Sequence, residues 1–186
     1  MNLMTAMPTD EFLAWSAQQG IERSGDCLAY RTRFERFWST DLRAGETPFF
    51  ASHVLDGLDP WSLCYVWPRG GIWPDRPWED RPADQVRRLL LQSIGIPKGF
   101  GGALAFTPEE RAAVLGIMSA EIMFGGNVDD DLFLVPDHGR QLLYLEHHDL
   151  IHVSFSEKDR MMAFENHMLA EGYEKQPDDY FTRKRK

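Results

Sequence analysis

The chain holds only two cysteines, Cys27 and Cys64, among its 186 residues. That is too few for a disulfide scaffold, and neither belongs to a pair with zinc-ligand spacing. Both have apolar neighbours and read as buried thiols in a reducing compartment, with a bond between the two left open. Also missing are a His-Glu-x-x-His pair, a Gly-x-Ser-x-Gly elbow and a phosphate-binding glycine loop. Gly99-Phe100-Gly101-Gly102 lacks the spacing and the preceding strand of a nucleotide fingerprint. No run approaches the ~18 apolar residues of a membrane span. The first residues, Met1 to Pro8, have no basic stretch of the kind that opens a signal peptide, so the expected compartment is the cytoplasm. Cations are scarce as well, at 20 Lys and Arg against 29 Asp and Glu. Four of the cations are the last four residues, Arg183 to Lys186. Without them the net charge of −9 becomes −13. Such a body repels nucleic acid and anionic lipid, whose binding needs clustered cations.

What is present fits one packed α+β domain spanning 1–186, with 177–186 as a mobile tail. The composition is 43% hydrophobic and 26% charged, ordinary for a folded chain of this size. Thr9 with Asp10 and Glu11 opens a helix that Gly20 closes. Tyr30, Phe34, Phe37 and Trp38 share one helical face and predict a second helix, with a strand over Cys27 to Thr32 as the competing pattern. Residues 56–82 carry Pro60, Pro68, Pro74, Pro77 and Pro82, with Trp61, Trp67, Trp73 and Trp78 among them. Proline at this density excludes a long regular element, apart from a short strand between Trp61 and Trp67. Val86, Leu89, Leu90 and Ile94 predict the buried stripe of a further helix. Thr107-Pro108-Glu109-Glu110 is a helix start with a capping box, and Val114, Leu115, Met118 and Ile122 form its inward face.

The last third reads as an antiparallel meander of Asp131 to Pro136, Gln141 to Glu146 and Leu150 to Phe155. A three-residue loop at His147-His148-Asp149 pairs Glu146 with Leu150, Leu145 with Ile151 and Leu143 with Val153. Leu143, Leu145, Ile151, Val153 and Phe155 then share the core face, and Tyr144, Glu146, His152 and Ser154 the solvent face. A helix capped by Ser156 with Asp159 at N3 closes the domain. It turns Met161, Phe164, Met168 and Leu169 inward and ends at Gly172. Tyr173 to Gln176 is a candidate final strand.

Three groups of residues are candidates for function. Glu146, His147, His148, Asp149 and His152 contain metal-ligating atoms, and the His148-Asp149 dipeptide is similar to that of metal-dependent phosphohydrolases, where it stands on helices. Here the flanks are strands, and positions four apart on a strand are roughly 13 Å distant, so the i, i+4 histidines do not converge. Glu146 and His152 lie diagonally adjacent with Tyr144 opposite His152, an arrangement suited to a general base or to a plain ion pair. Between Glu121 and Leu150 there are seven acids, with Asp129, Asp130, Asp131, Glu146 and Asp149 among them, against the single base Arg140. This stretch lacks the spacing of a calcium loop and reads either as a solvated face or as a docking surface for a basic protein. Trp73 and Trp78 add candidate aromatic anchors.

In general character the chain resembles the small, acidic, aromatic-rich cytoplasmic proteins that neutralise bacterial toxins. With the −13 body, the missing catalytic motifs and the Trp-rich irregular segment, the leading expectation is a non-catalytic binding protein, an immunity-type inhibitor with a basic protein partner, and no cofactor or metal is expected. The rival reading is a metal-dependent hydrolase using His147, His148, Asp149 and His152, and a homodimer is the third.

Overall fold

Two runs that alternate apolar and polar residues, Gln141 to Glu146 and Leu150 to Phe155, pair in the predicted register. Glu146 faces Leu150, Leu145 faces Ile151 and Leu143 faces Val153. The computed structural model describes residues 5–24, 27–40, 45–69, 101–124, 131–146 and 150–177, together with Gln85, Leu89, Gln92, Ser93 and Gly95. Its elements run β1 (Thr5–Met7), α1 (Thr9–Gln18), β2 (Ile21–Ser24), β3 (Cys27–Tyr30), β4 (Phe34–Ser39), α2 (Thr47–Asp56), β5 (Cys64–Pro68) and β6 (Ala103–Phe106). A 3₁₀ turn at Pro108–Glu110 then leads into α3 (Arg111–Phe124), followed by β7 (Leu132–Pro136), β8 (Gln141–Glu146), β9 (Leu150–Phe155) and α4 (Lys158–Ala170). Seven strands form one antiparallel sheet in the order β1-β6-β5-β7-β8-β9-β4, and β2 and β3 make a separate hairpin. The architecture is α+β, as the sequence predicts.

Side chains alternate across a strand, so the sheet has two faces to cover. One carries Leu143, Leu145, Ile151, Val153 and Phe155 and packs under the helices, against Val54, Leu55, Val114, Met118, Phe164 and Met168. The other carries Tyr65, Trp67, Phe133, Val135 and Leu142. It packs against Phe12 of α1 and against Ile21, Leu28 and Tyr30 of the β2–β3 hairpin. The meander is therefore buried on both sides, and the expected solvent face is covered. The reason is visible in β5 and β7, whose five residues are all buried, as strands enclosed on both faces require.

Other expectations are corrected. Tyr30 to Trp38 is not helical: β3 ends at Tyr30 and β4 pairs along its whole length with β9. Aromatic residues suit both periods, and the partner strand decides between them. The strand expected at Trp61 to Trp67 begins at Cys64 and reaches Pro68. Leu89 is 66% exposed and shares an outward stripe with Gln85, Gln92 and Ser93. Val86, Leu90 and Ile94 lie outside the described residues. Ser156 does not cap α4. Its N–H and hydroxyl both donate to the Arg140 carbonyl, at 3.1 and 3.4 Å, which binds it to the end of the meander. Leu169 is 47% exposed, while Met161, Phe164 and Met168 face inward as expected. At Thr107 the capping box forms, with the Glu110 carboxylate accepting from the Thr107 N–H at 2.9 Å. Both cysteines are free. Cys64 is fully buried, and burial followed by the nearby Asp137 charge pushes its thiol up to about 12.

Candidate functional site

Register alone places one residue from each of five strands in a row across the covered face. Trp67 of β5 faces Phe133 of β7, Phe133 faces Tyr144 of β8, Tyr144 faces His152 of β9, and His152 faces Phe37 of β4. All five are rings, and neighbours touch. Trp67 and Phe133 have centroids 5.4 Å apart, and Phe133 and Tyr144 stack at 4.6 Å and 2°. His152 meets Tyr144 at 4.9 Å and Phe37 edge-on at 4.6 Å and 89°. Such cross-strand pairs each contribute a few tenths to about 1 kcal/mol.

Polar groups collect at one end of this row. Glu146 stands two residues after Tyr144 on β8 and so points to the same face. Its carboxylate is 3.0 Å from His152 Nε2. The two side chains are only 14% and 13% exposed. The Tyr144 hydroxyl is 3.8 Å from Cys27 Sγ. Burial raises the Tyr144 pKa above its ordinary value, and Asp131, Cys27 and Glu146 raise it further, so the phenol stays protonated while its oxygen accepts from the Cys27 thiol. Asp131 precedes β7, is 1% exposed and lies 3.1 Å from Arg69, which follows β5. The Arg69 N–H also donates to the Asp131 carbonyl at 2.9 Å.

The sequence thus places Glu146, His152 and Tyr144 correctly with respect to one another. It does not place Asp131, whose side chain is buried in an ion pair rather than presented on an acidic surface. The reason is the alternation of β7, which turns Asp131 to the same side as Phe133 and Val135. Glu121 is buried as well, at 7% exposure. Trp73, Trp78, Asp129, Asp130, His147, His148 and Asp149 lie outside the described residues. Phe37, Cys27 and Arg69 were missed in the sequence. Phe37 follows from β4 being a strand, whereas the other two come from segments remote in sequence.

Chemically, the cluster can hold a proton between a carboxylate and an imidazole beside a neutral phenol. Among the described residues no group of three or more His, Cys, Asp and Glu side chains is arranged to hold a metal ion, and no helix is long and apolar enough to cross a membrane. No family model matches the chain, and neither a curated protein nor a solved structure matches it.

Proposed function

We propose that the chain is a non-catalytic acidic protein-binding module whose partner is a basic protein, in the manner of an immunity-type inhibitor that neutralises a bacterial toxin. The observation that carries the reading is charge. The body is −13 before its last four cations, and acids outnumber bases seven to one between Glu121 and Leu150. Asp131, Glu146 and Leu150 meet at one end of β7, β8 and β9, so the described residues that flank the two acidic segments sit side by side. With Glu121 and Asp131 turned inward and Glu146 facing His152, the docking charge of this reading rests on Asp129, Asp130 and Asp149. A field of this kind accelerates encounter with a cationic partner and weakens with salt.

The deciding experiment captures partners on the purified protein at low salt and elutes at high salt. The association rate is then measured for Asp129→Asn/Asp130→Asn/Asp149→Asn. The expected result is a basic protein released by salt, with slower association in the variant and little change in dissociation. Asp131→Asn serves as a control that costs stability by breaking the ion pair with Arg69 while leaving the salt dependence in place. No partner at low salt, together with a turnover that requires His147 or His148, refutes the proposal.

One observation favours the hydrolase instead, the 3.0 Å hydrogen bond between Glu146 and His152 beside Tyr144. A carboxylate-oriented imidazole is the arrangement of a general base. Metal analysis separates the two readings: a stoichiometric ion lost in His148→Ala supports the hydrolase.

A further inference from the structure

β4 is an outermost strand of the seven-stranded sheet, and an outer strand presents backbone N–H and C=O groups that another chain can pair with. Here the chain itself returns to that margin. Past α4, Gly172 adopts φ +87° and reverses the chain, and the Tyr173 N–H donates to the Met168 carbonyl at 3.1 Å. Tyr173 sets its ring edge-on against Phe50 at 5.0 Å, with its hydroxyl 3.2 Å from His53 Nδ1. Lys175 then bridges antiparallel to Trp38, and the Gln176 N–H donates to the Phe37 carbonyl at 2.7 Å. Lys175 Nζ is 2.8 Å from Glu165, which also holds Arg36 of β4. Pro177 follows and has no N–H with which to extend the ladder.

The segment is hooked at Tyr173, pinned at Lys175 and bonded at Gln176. Past the tyrosine it buries little apolar surface, so its contribution there is to occupy the margin. A second device acts on the same edge, where the Arg36 guanidinium donates to the Glu35 carbonyl at 2.8 Å. Because the Phe37 carbonyl points outward to Gln176, the alternation of an antiparallel strand turns the backbone groups of Glu35, Phe37 and Ser39 outward too.

We propose that Tyr173–Gln176 is a guard over a homotypic interface: when it is displaced, β4 pairs with β4 of a second copy across a two-fold axis. The strand is suited to pair with itself. Antiparallel pairing centred on Phe37 sets Phe37 opposite its own copy and Glu35 opposite Ser39 of the second copy. Centring on Arg36 instead would oppose two guanidinium groups, which is unfavourable. The Phe37-centred register opposes no like charges, and the guard decides whether the interface is open.

The test uses the full-length protein and a full-length variant, Tyr173→Ala/Gln176→Pro, which removes the hook and the donor to Phe37. Mass is read by light scattering from about 5 to about 500 μM, the range in which a weak homotypic contact shows. The parent is expected to stay at its monomer mass. The variant is expected to double its mass with rising concentration while keeping its circular dichroism, with slowed hydrogen exchange at Phe37 in the dimer. If the double variant does not fold, Lys175→Glu, which sets a carboxylate against Glu165 at a partly exposed position, carries the same expectation. A folded variant that stays monomeric, a parent that already dimerises with Gln176 protected from exchange, or open-ended aggregation in place of a dimer overturns the proposal.

Discussion

The row of rings across the covered face makes a sharp prediction at Phe133, which is fully buried between Trp67 and Tyr144. Phe133→Leu keeps an apolar side chain and most of its buried area, so area alone predicts a loss of about 1 kcal/mol or less. Ring geometry adds to that. Two aromatic neighbours, one of them parallel within 2° at 4.6 Å, are each worth about 0.5–1.5 kcal/mol beyond area. The total expected loss is therefore about 1–4 kcal/mol. Urea unfolding with a slope near 2 kcal/mol/M turns this into a midpoint lowered by about 0.5–2 M. A double-mutant cycle with Tyr144→Leu isolates the stacked pair and is expected to give a coupling of about 0.5–1.5 kcal/mol. Phe133→Leu with Val114→Ala is the control. Val114 packs on the opposite face of the sheet, so those two changes should add within about 0.5 kcal/mol. A Phe133–Tyr144 coupling no larger than that of the control would refute the reasoning and reduce the row to a consequence of register.

Val153, fully buried beneath the helices, should not tolerate Asp, because an unpaired buried carboxylate costs several kcal/mol. His152→Gln, which keeps a donor for Glu146, should cost about 1 kcal/mol in the same urea assay, and equal damage from both changes would contradict the faces assigned to β9. The Glu165 carboxyl is raised by its burial but lowered overall from 4.5 by hydrogen bonds from Lys175 and Arg36 and by their charges. Its folded-state pKa thus lies below the unfolded one. The stabilisation it gives is complete above about 4.5 and is lost as pH falls through the folded value. Parent stability should decline across that window, and Glu165→Gln should flatten the decline. A parallel decline in both proteins would remove Glu165 from the account.

Parts of this fold were legible because one physical signal dominated. In Gln141–Glu146 and Leu150–Phe155 the alternation of apolar and polar residues allows one good register, and a slip by one would turn Leu143, Leu145, Ile151 and Val153 away from the helices. The capping box at Thr107 is legible for a similar reason, since its donors and acceptors lie within four residues. Phe34 to Ser39 was not legible. Its aromatic spacing satisfies helix and strand alike, and the choice is made by β9, far along the chain. Nor did the sequence show that a second layer covers the sheet, although Phe133, Val135 and Leu142 carry apolar bulk on the side expected to meet water. That layer comes from α1 and the β2–β3 hairpin, whose packing against the sheet is tertiary information.

The candidate site divides along the same line. The relation of Glu146 to His152 and Tyr144 follows from one hairpin, so local register was enough to derive it. The acidic run misled because a count of charges along the chain assumes that neighbouring residues share an environment. Where a run enters a strand this assumption fails, since consecutive side chains point to opposite faces. Asp131 is the residue at that junction. Its face is the one that carries Phe133, and a carboxylate brought there must be paired, as it is with Arg69. The two charges largely cancel, so the pair adds little to the field outside. Asp131 therefore drops out of the charge that the proposed reading counts toward docking. On the proposed reading, docking and folding therefore draw on different residues. Asp131→Asn should thus act on stability, and Asp129→Asn/Asp130→Asn/Asp149→Asn, if the proposal holds, on association.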